Sequence, residues 1–193
     1  MAIVHHRLRY PRQYHREAME IRRLTETDAE SFRKLRLEAL DRERTSFAES
    51  VEEFRNTTVD VCAERLRSGG MDRFVFGAIE TSALVGMAGF YRESHLKYRH
   101  KGRIWGVYVR EEYRGRGAGR ALLTQLLEDA RSLPDLTCML LSVAAKQEAA
   151  RSLYVSLGFR VFGREPRSLR VNGAYIEEEH MILELPLHCP IPA

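Results

Sequence analysis

Hydrophobic positions change their period along this chain, and the changes mark out its elements. Ile21 to Leu24 reads as a short first strand. Thr27 or Asp28 then caps a helix whose apolar face is Phe32, Leu35 and Leu40. Ser50 and Glu53 stand three apart, the spacing of a capping box, and announce a second helix bearing Phe54, Val61 and Leu66 that stops at Gly69-Gly70. Two apolar runs follow, Arg73 to Thr81 and Ala83 to Tyr91, so close together that a tight hairpin is expected. Residues 93–101 are polar and read as a loop, and Arg103 to Val109 is the next strand. Leu122, Leu123, Leu126, Leu127 and Ala130 line one face of a helix that begins near Ala118 and ends before Pro134.

Thr137 to Ala144 is almost continuously apolar, the pattern of a central strand covered on both faces. A helix with Ala150, Leu153, Tyr154 and Leu157 comes next, and Gly158 supplies the residue with permissive φ at its end. Phe159 to Gly163 and Tyr175 to Leu185 close the order as two strands. The expected fold class is α/β: one mixed sheet with helices on both faces.

A chain of 193 residues fits one domain, with 44% apolar and 30% charged residues in a globular balance. No run approaches the ~20 apolar residues of a membrane span. The basic amino terminus has no apolar stretch behind it, so no secretory signal is read and the expected location is cytoplasmic. Cys62, Cys138 and Cys189 lack metal-ligand spacing and read as reduced thiols, with no metal expected. The formal charge is +4, from 31 basic and 27 acidic residues spread along the chain, which argues against a nucleic-acid stripe. Residues 1–18 read as a flexible arm or an extra contact in a homodimer, 19–187 as the domain and 188–193 as a short tail.

The densest chemical signal is Arg114-Gly115-Arg116-Gly117-Ala118-Gly119-Arg120, set between a strand and a helix. Alternate glycines keep side chains out of such a turn, so backbone N–H groups and the positive helix end converge on an anion. The arginines add charge around that nest. A nucleoside-triphosphate loop would need a Lys-Ser or Lys-Thr that is missing, and the dinucleotide fingerprint fails because position 120 is Arg. Arg114-x-x-Gly117-x-Gly119 instead resembles the (Gln/Arg)-x-x-Gly-x-(Gly/Ala) signature of the GCN5-related N-acetyltransferase (GNAT) superfamily. Val143 through Gln147 to Leu153-Tyr154, then Gly158-Phe159, is similar to that family's second cofactor segment.

The resemblance covers roughly residues 20–185 and implies a mostly antiparallel sheet whose central strands splay to admit acetyl-coenzyme A. It implies that Val107, Tyr108, Val109 and Val143 offer main-chain groups to the pantetheine arm, and that residues 114–120 take the pyrophosphate. Gln147 stands where many members have Asn, on a longer stem. Tyr154 matches the tyrosine usually assigned to protonate the departing thiolate. The resemblance also implies an oxyanion donor among the N–H groups near Val107 or Tyr108. Arg103 occupies the position of the glutamate base of histone-type members and cannot serve as one. Glu93, His95, Tyr108 or a water chain are the remaining candidates for deprotonating the amine.

An arginine at 103 on the acceptor side would favour a zwitterionic amine over a polyamine. Glu177, Glu178 and Glu179 read either as solvated residues of an edge strand or as a negative rim for a cationic amine. The function expected from the resemblance is direct acetyl transfer to a primary amine, of a small molecule or else of a protein. The competing readings are a non-catalytic acyl-coenzyme A-binding regulator and, behind it, a nucleotide-binding module.

Overall fold

In the computed structural model, residues 19–186 are described; the expected arm, the tail and Cys189 lie outside them. The elements run β1 (Glu20–Arg23), α1 (Ala29–Arg42), α2 (Val51–Arg55), α3 (Val59–Ser68), β2 (Arg73–Glu80), β3 (Ala83–Arg92), β4 (Lys101–Val109), α4 (Ala118–Arg131), β5 (Cys138–Ala144), α5 (Glu148–Ser156), β6 (Arg160–Val171) and β7 (Ala174–Glu184). Seven strands form one sheet in the order β1-β2-β3-β4-β5-β7-β6. Every neighbouring pair is antiparallel except β4 and β5.

Two apolar clusters cover the two faces. Leu122, Leu123, Leu126 and Leu127 of α4 pack with Phe90, Met139 and Met181 on one side. Phe32, Leu35 and Leu40 of α1 pack with Phe54, Met87 and Tyr108 on the other. Burial along β5 is continuous except at Ser142, and its Met139, Leu141 and Val143 belong to the α4-face cluster.

Three elements depart from the expected boundaries. The single second helix is two: α2 ends at Arg55, and Thr58 opens α3 by accepting the Val61 N–H at 3.3 Å. The Ser50–Glu53 capping box stands as expected, with Ser50 N–H donating to Glu53 Oε2 at 2.7 Å. β4 begins at Lys101, because His100 and Lys101 already run beside β5. β6 runs to Val171 rather than Gly163: Asn172 and Gly173, with φ +49° and +83°, make a two-residue turn that pairs Val171 with Ala174. Its polar sequence hid this strand, because the hairpin end lies at the sheet edge and has little to bury.

Arg36 is the costly residue of the α1 layer. Its side chain is 6% exposed, its guanidinium lies between the rings of Phe47 and Trp105, and one nitrogen donates to Glu49 at 3.0 Å. Nε and Nη1 are buried without a partner among the described residues, and burial pulls its pKa down. An unmet buried donor costs about 1–3 kcal/mol, so a flexible apolar side chain of similar length should hold the fold at least as well. Arg36→Met is expected to leave stability unchanged or raise it by about 1–2 kcal/mol, measured by urea unfolding. A loss of more than about 2 kcal/mol would mean that ring stacking and Glu49 outweigh the desolvation.

Candidate active site

β4 and β5 pair over three residues only, Lys101 with Cys138, Gly102 with Met139 and Arg103 with Leu140. Beyond Arg103 they part. A bulge in β4 accompanies the separation: Gly89 faces Trp105 and Met87 faces Tyr108, so Gly106 and Val107 together oppose one residue of β3. Gly106 carries φ +63°, open to glycine at little cost. The bulge keeps Trp105 and Tyr108 on the α1 face although they are three residues apart, and turns Val107 and Val109 to the α4 face. Backbone groups of both strands that would have bonded one another now line a cleft of about 440 Å³.

The cleft gathers most of the residues expected to bind the cofactor. Val107, Tyr108, Val109 and Val143 form its strand walls, and Arg114, Gly115, Gly117, Ala118, Gly119 and Arg120 close one end. Gln147 and Tyr154 also border it. Gly117 is the N-cap of α4, with φ +87° and no side-chain cap, so the first N–H groups of a 14-residue helix have no capping side chain. A Cβ at Gly115 or Gly117 would meet no atom within 4 Å, which leaves the turn open in front of the helix. Gly119 does a different job from the one its spacing suggests: a Cβ there would stand 3.2 Å from Leu153, so this glycine lets α4 approach α5.

Arg114 and Arg116 each face a carboxylate, whereas Arg120 bonds only a hydroxyl. Arg114 donates to Val109 O at 2.9 Å and to Glu43 at 2.7 Å, and Arg120 donates to Ser156 Oγ at 2.7 Å. Arg116 points to Glu80 at 3.8 Å and over the Tyr113 ring, and does not border the cleft. Gln147 donates to Ser46 Oγ at 2.9 Å. Glu43, Ser46 and Phe47, from the α1–α2 connection, therefore belong to the cleft wall, and sequence reading missed them. The one signal they carried was an aromatic alone in a polar stretch.

Tyr154 is 6% exposed, packs edge-on to Phe159, and its hydroxyl has no hydrogen-bond partner among the described residues. Burial alone pushes its pKa far up, so the phenol stays protonated near neutrality. Tyr108 has its hydroxyl committed: it donates to Glu38 at 3.0 Å, a carboxylate that Arg110 also holds, and burial with that bond raises its pKa to about 12. Glu93 is taken by Arg103 at 2.6 Å, and that pair does not border the cleft. His95 lines a separate shallow depression with Leu96, Lys97 and Tyr98. Of the candidates to deprotonate an amine, only Tyr108 reaches the cleft, and it is a poor base there.

The acidic run also reads differently in three dimensions. Glu179 is buried and held by Arg151 at 2.6 Å and Arg164 at 2.7 Å, with Arg151 chiefly responsible for keeping its pKa down. Glu177 faces Arg164 at 3.5 Å and Glu178 accepts from Ser168 at 2.6 Å. Glu179 is therefore taken out of the expected rim, while Glu177 is exposed and Glu178 meets a hydroxyl.

The sequence profile described as the Acetyltransferase (GNAT) family matches residues 21–159, from β1 to the end of the second cofactor-like segment. The chain belongs to the GNAT acetyltransferase family. Among curated GNAT proteins it is similar to N-alpha-acetyltransferase RimI of Mycobacterium tuberculosis, 37% identical over 51% of this chain and 59% of that protein. It is also similar to L-amino acid N-acyltransferase MnaT of Escherichia coli, 32% identical over 41% of this chain and 45% of that one. The chain thus spans about half the length of the curated relatives it matches. Among solved structures, yncA of Salmonella typhimurium, described as a putative acetyltransferase with its cofactor acetyl-CoA, superposes with TM-score 0.78 at 23% identity, over 92% of this chain and 99% of that one. A phosphinothricin acetyltransferase from Sinorhizobium meliloti in complex with AcCoA gives 0.76 at 20%, over 91% and 93%. At those identities the two structures speak to the fold. Among the described residues no helix is long and apolar enough to cross a membrane.

Proposed function

We propose that this GNAT protein is an acetyl-coenzyme A-dependent N-acetyltransferase that acetylates the primary amine of a small molecule by direct transfer in a ternary complex. The observation that carries this reading is the parting of β4 and β5 in front of the open Gly115–Gly117 turn, with a protonated, unpartnered tyrosine in the wall of the gap. When bound, acetyl-coenzyme A supplies an acyl carbon activated by a thiolate leaving group.

The residues fit such a group. Backbone N–H groups of Ala118, Gly119 and Arg120 at the start of α4 would take phosphate oxygens, and the helix dipole adds to them. Arg114 is held by a carboxylate at the cleft edge, and exchanging Glu43 for a phosphate keeps its charge matched. Unpaired main-chain groups of β4 and β5 would accept an extended arm as a further strand. The N–H groups near Val107 and Tyr108 suit charge developing on the acyl oxygen. Tyr154 retains its proton and can give it to sulfur.

For the acceptor, Arg103 offers no carboxylate of the histone-type kind and is neutralised by Glu93, so its charge selects neither polyamines nor zwitterions. Similarity to MnaT supports an amino-acid-like amine; similarity to RimI supports the second reading, a protein α-amino group. Thiol release from acetyl-coenzyme A distinguishes them when L-methionine sulfone, common L-amino acids, spermidine and peptides of varied amino terminus are compared. Turnover only with peptides would replace the small-molecule reading. Binding without turnover of any amine would favour a non-catalytic acyl-coenzyme A-binding protein.

Two substitutions test the site itself. Gly117→Val forces a β-branched residue to φ +87° and fills the open turn, so acetyl-coenzyme A affinity should fall at least about 10²-fold by calorimetric titration of the folded variant; affinity within twofold of the parent would remove this turn from the binding site. Tyr154→Phe should keep that affinity and slow turnover by about 10²–10⁴-fold, the scale of lost general acid help. If turnover holds within twofold, Tyr154 is a packing residue.

A further inference from the structure

β5 carries one polar residue in an otherwise buried run, and that residue is not isolated. Ser142 borders the cleft, on the face of β5 opposite the one bearing Leu141 and Val143. Its cross-strand partner in β7 is His180, and Ser142 Oγ lies 2.9 Å from His180 Nδ1. On the far side of the ring, His180 Nε2 lies 2.8 Å from Glu165 Oε2 of β6. Three strands thus contribute one side chain each to an unbroken chain of hydrogen bonds. It begins at a serine in the cleft wall and ends at a carboxylate that is 54% exposed.

With His180 neutral and Glu165 ionised the donors and acceptors in this chain have one consistent order, whereas a protonated ring would donate from both nitrogens. An ionised Glu165 can only accept, so Nε2 of a neutral His180 must carry the proton. Nδ1 is then the acceptor, and Ser142 Oγ–H must donate to it. Ser142 Oγ has no other hydrogen-bond partner among the described residues, and the residue borders the cleft. A free lone pair on an oxygen whose own proton is already aimed at a base is what an ammonium group needs in order to deprotonate. The other side chains close to the imidazole are accounted for: the Phe162 ring lies 6.1 Å away, and Glu178, two residues along the same face of β7, is occupied by Ser168.

We propose that Ser142, His180 and Glu165 form the proton relay that takes the proton from the acceptor's ammonium group, and this rests on the acetyltransferase reading above. The acceptor N–H bond breaks as Oγ–H forms at Ser142. The original Ser142 proton passes to His180 Nδ1, and the imidazolium, still donating from Nε2, is stabilised by Glu165; once product leaves, Nδ1 returns its proton to Oγ as Ser142 gives its other proton to water in the cleft, which restores the starting tautomer. No charge or atom is left over, and no metal or further reactant is needed. Ser142 is the catalytic residue of the three, since only it borders the cleft; His180 and Glu165 act through it.

The test has one readout that needs no acceptor and one that does. In the parent protein, nitrogen-15 spectra of the His180 ring should show a protonated Nε2 and a hydrogen-bonded, unprotonated Nδ1, with the Nδ1 signal moving in Ser142→Ala. A ring protonated on Nδ1 would overturn the relay. In thiol-release assays with the best acceptor among L-methionine sulfone, L-methionine and an alanine-initiated peptide, Ser142→Ala and His180→Gln should each lower kcat by about 10²-fold or more. For His180→Gln the acid limb of the kcat–pH profile should disappear while acetyl-coenzyme A affinity stays at the parent value, and added imidazole should restore part of the rate of His180→Ala. If the parent turns over but both variants remain within twofold with unchanged pH profiles, the relay is wrong and the acetyltransferase reading stands. If the parent binds acetyl-coenzyme A yet acetylates none of the three, both are wrong.

Discussion

Everything distinctive about this molecule follows from two parallel strands that pair for three residues and then separate. A buried sheet cannot leave backbone groups unmet without cost, so a gap in its centre is a place where something else is meant to bond. The surrounding structure keeps that gap open from both sides. The bulge at Gly106 directs Trp105 and Tyr108 into the α1 layer and Val107 and Val109 into the α4 layer, so β4 is anchored on both faces just where it leaves β5. β5 is held on its other edge by seven residues of β7. Neither strand can swing over to close the gap without dismantling its own packing.

The same constraint distributes the chemistry. Alternation along β5 sends Val143 to the α4–α5 side, where Tyr154 is buried, and Ser142 to the other, where His180 stands behind it. A proton donor that burial keeps protonated and a hydroxyl backed by an imidazole therefore occupy opposite faces of one strand beside the same cleft. Burial keeps the phenol protonated, and the chain of side chains behind Ser142 ends at an exposed carboxylate.

Ion pairs take up much of the charge around the cleft, although Arg120 bonds only a hydroxyl. Of the chain's 31 basic residues, Arg114 faces Glu43, Arg116 faces Glu80, and Arg151 shares Glu179 with Arg164. Glu43 is the instructive case, because it comes from the α1–α2 connection and meets Arg114 at the cleft edge beside Gln147.

Much of this was legible in the amino-acid order alone. The helices of the α4 face, the central β5 strand and the open glycine turn follow from local rules: period, capping, and the conformations glycine allows, whereas Tyr154 stood out only through the family resemblance. Such rules act over a few residues, and with the family resemblance they set most of the elements and their order, but not the break between α2 and α3 or the length of β6. What the sequence left open depends on residues far apart in the chain. That Arg103 is cancelled by Glu93, that Glu179 is buried between arginines, and that α2 and α3 are separate helices are outcomes of packing and pairing. Only the tertiary structure set Ser142 beside His180, 38 positions away, and Glu165 behind it, because strand register is fixed by the whole sheet and not by any stretch of it.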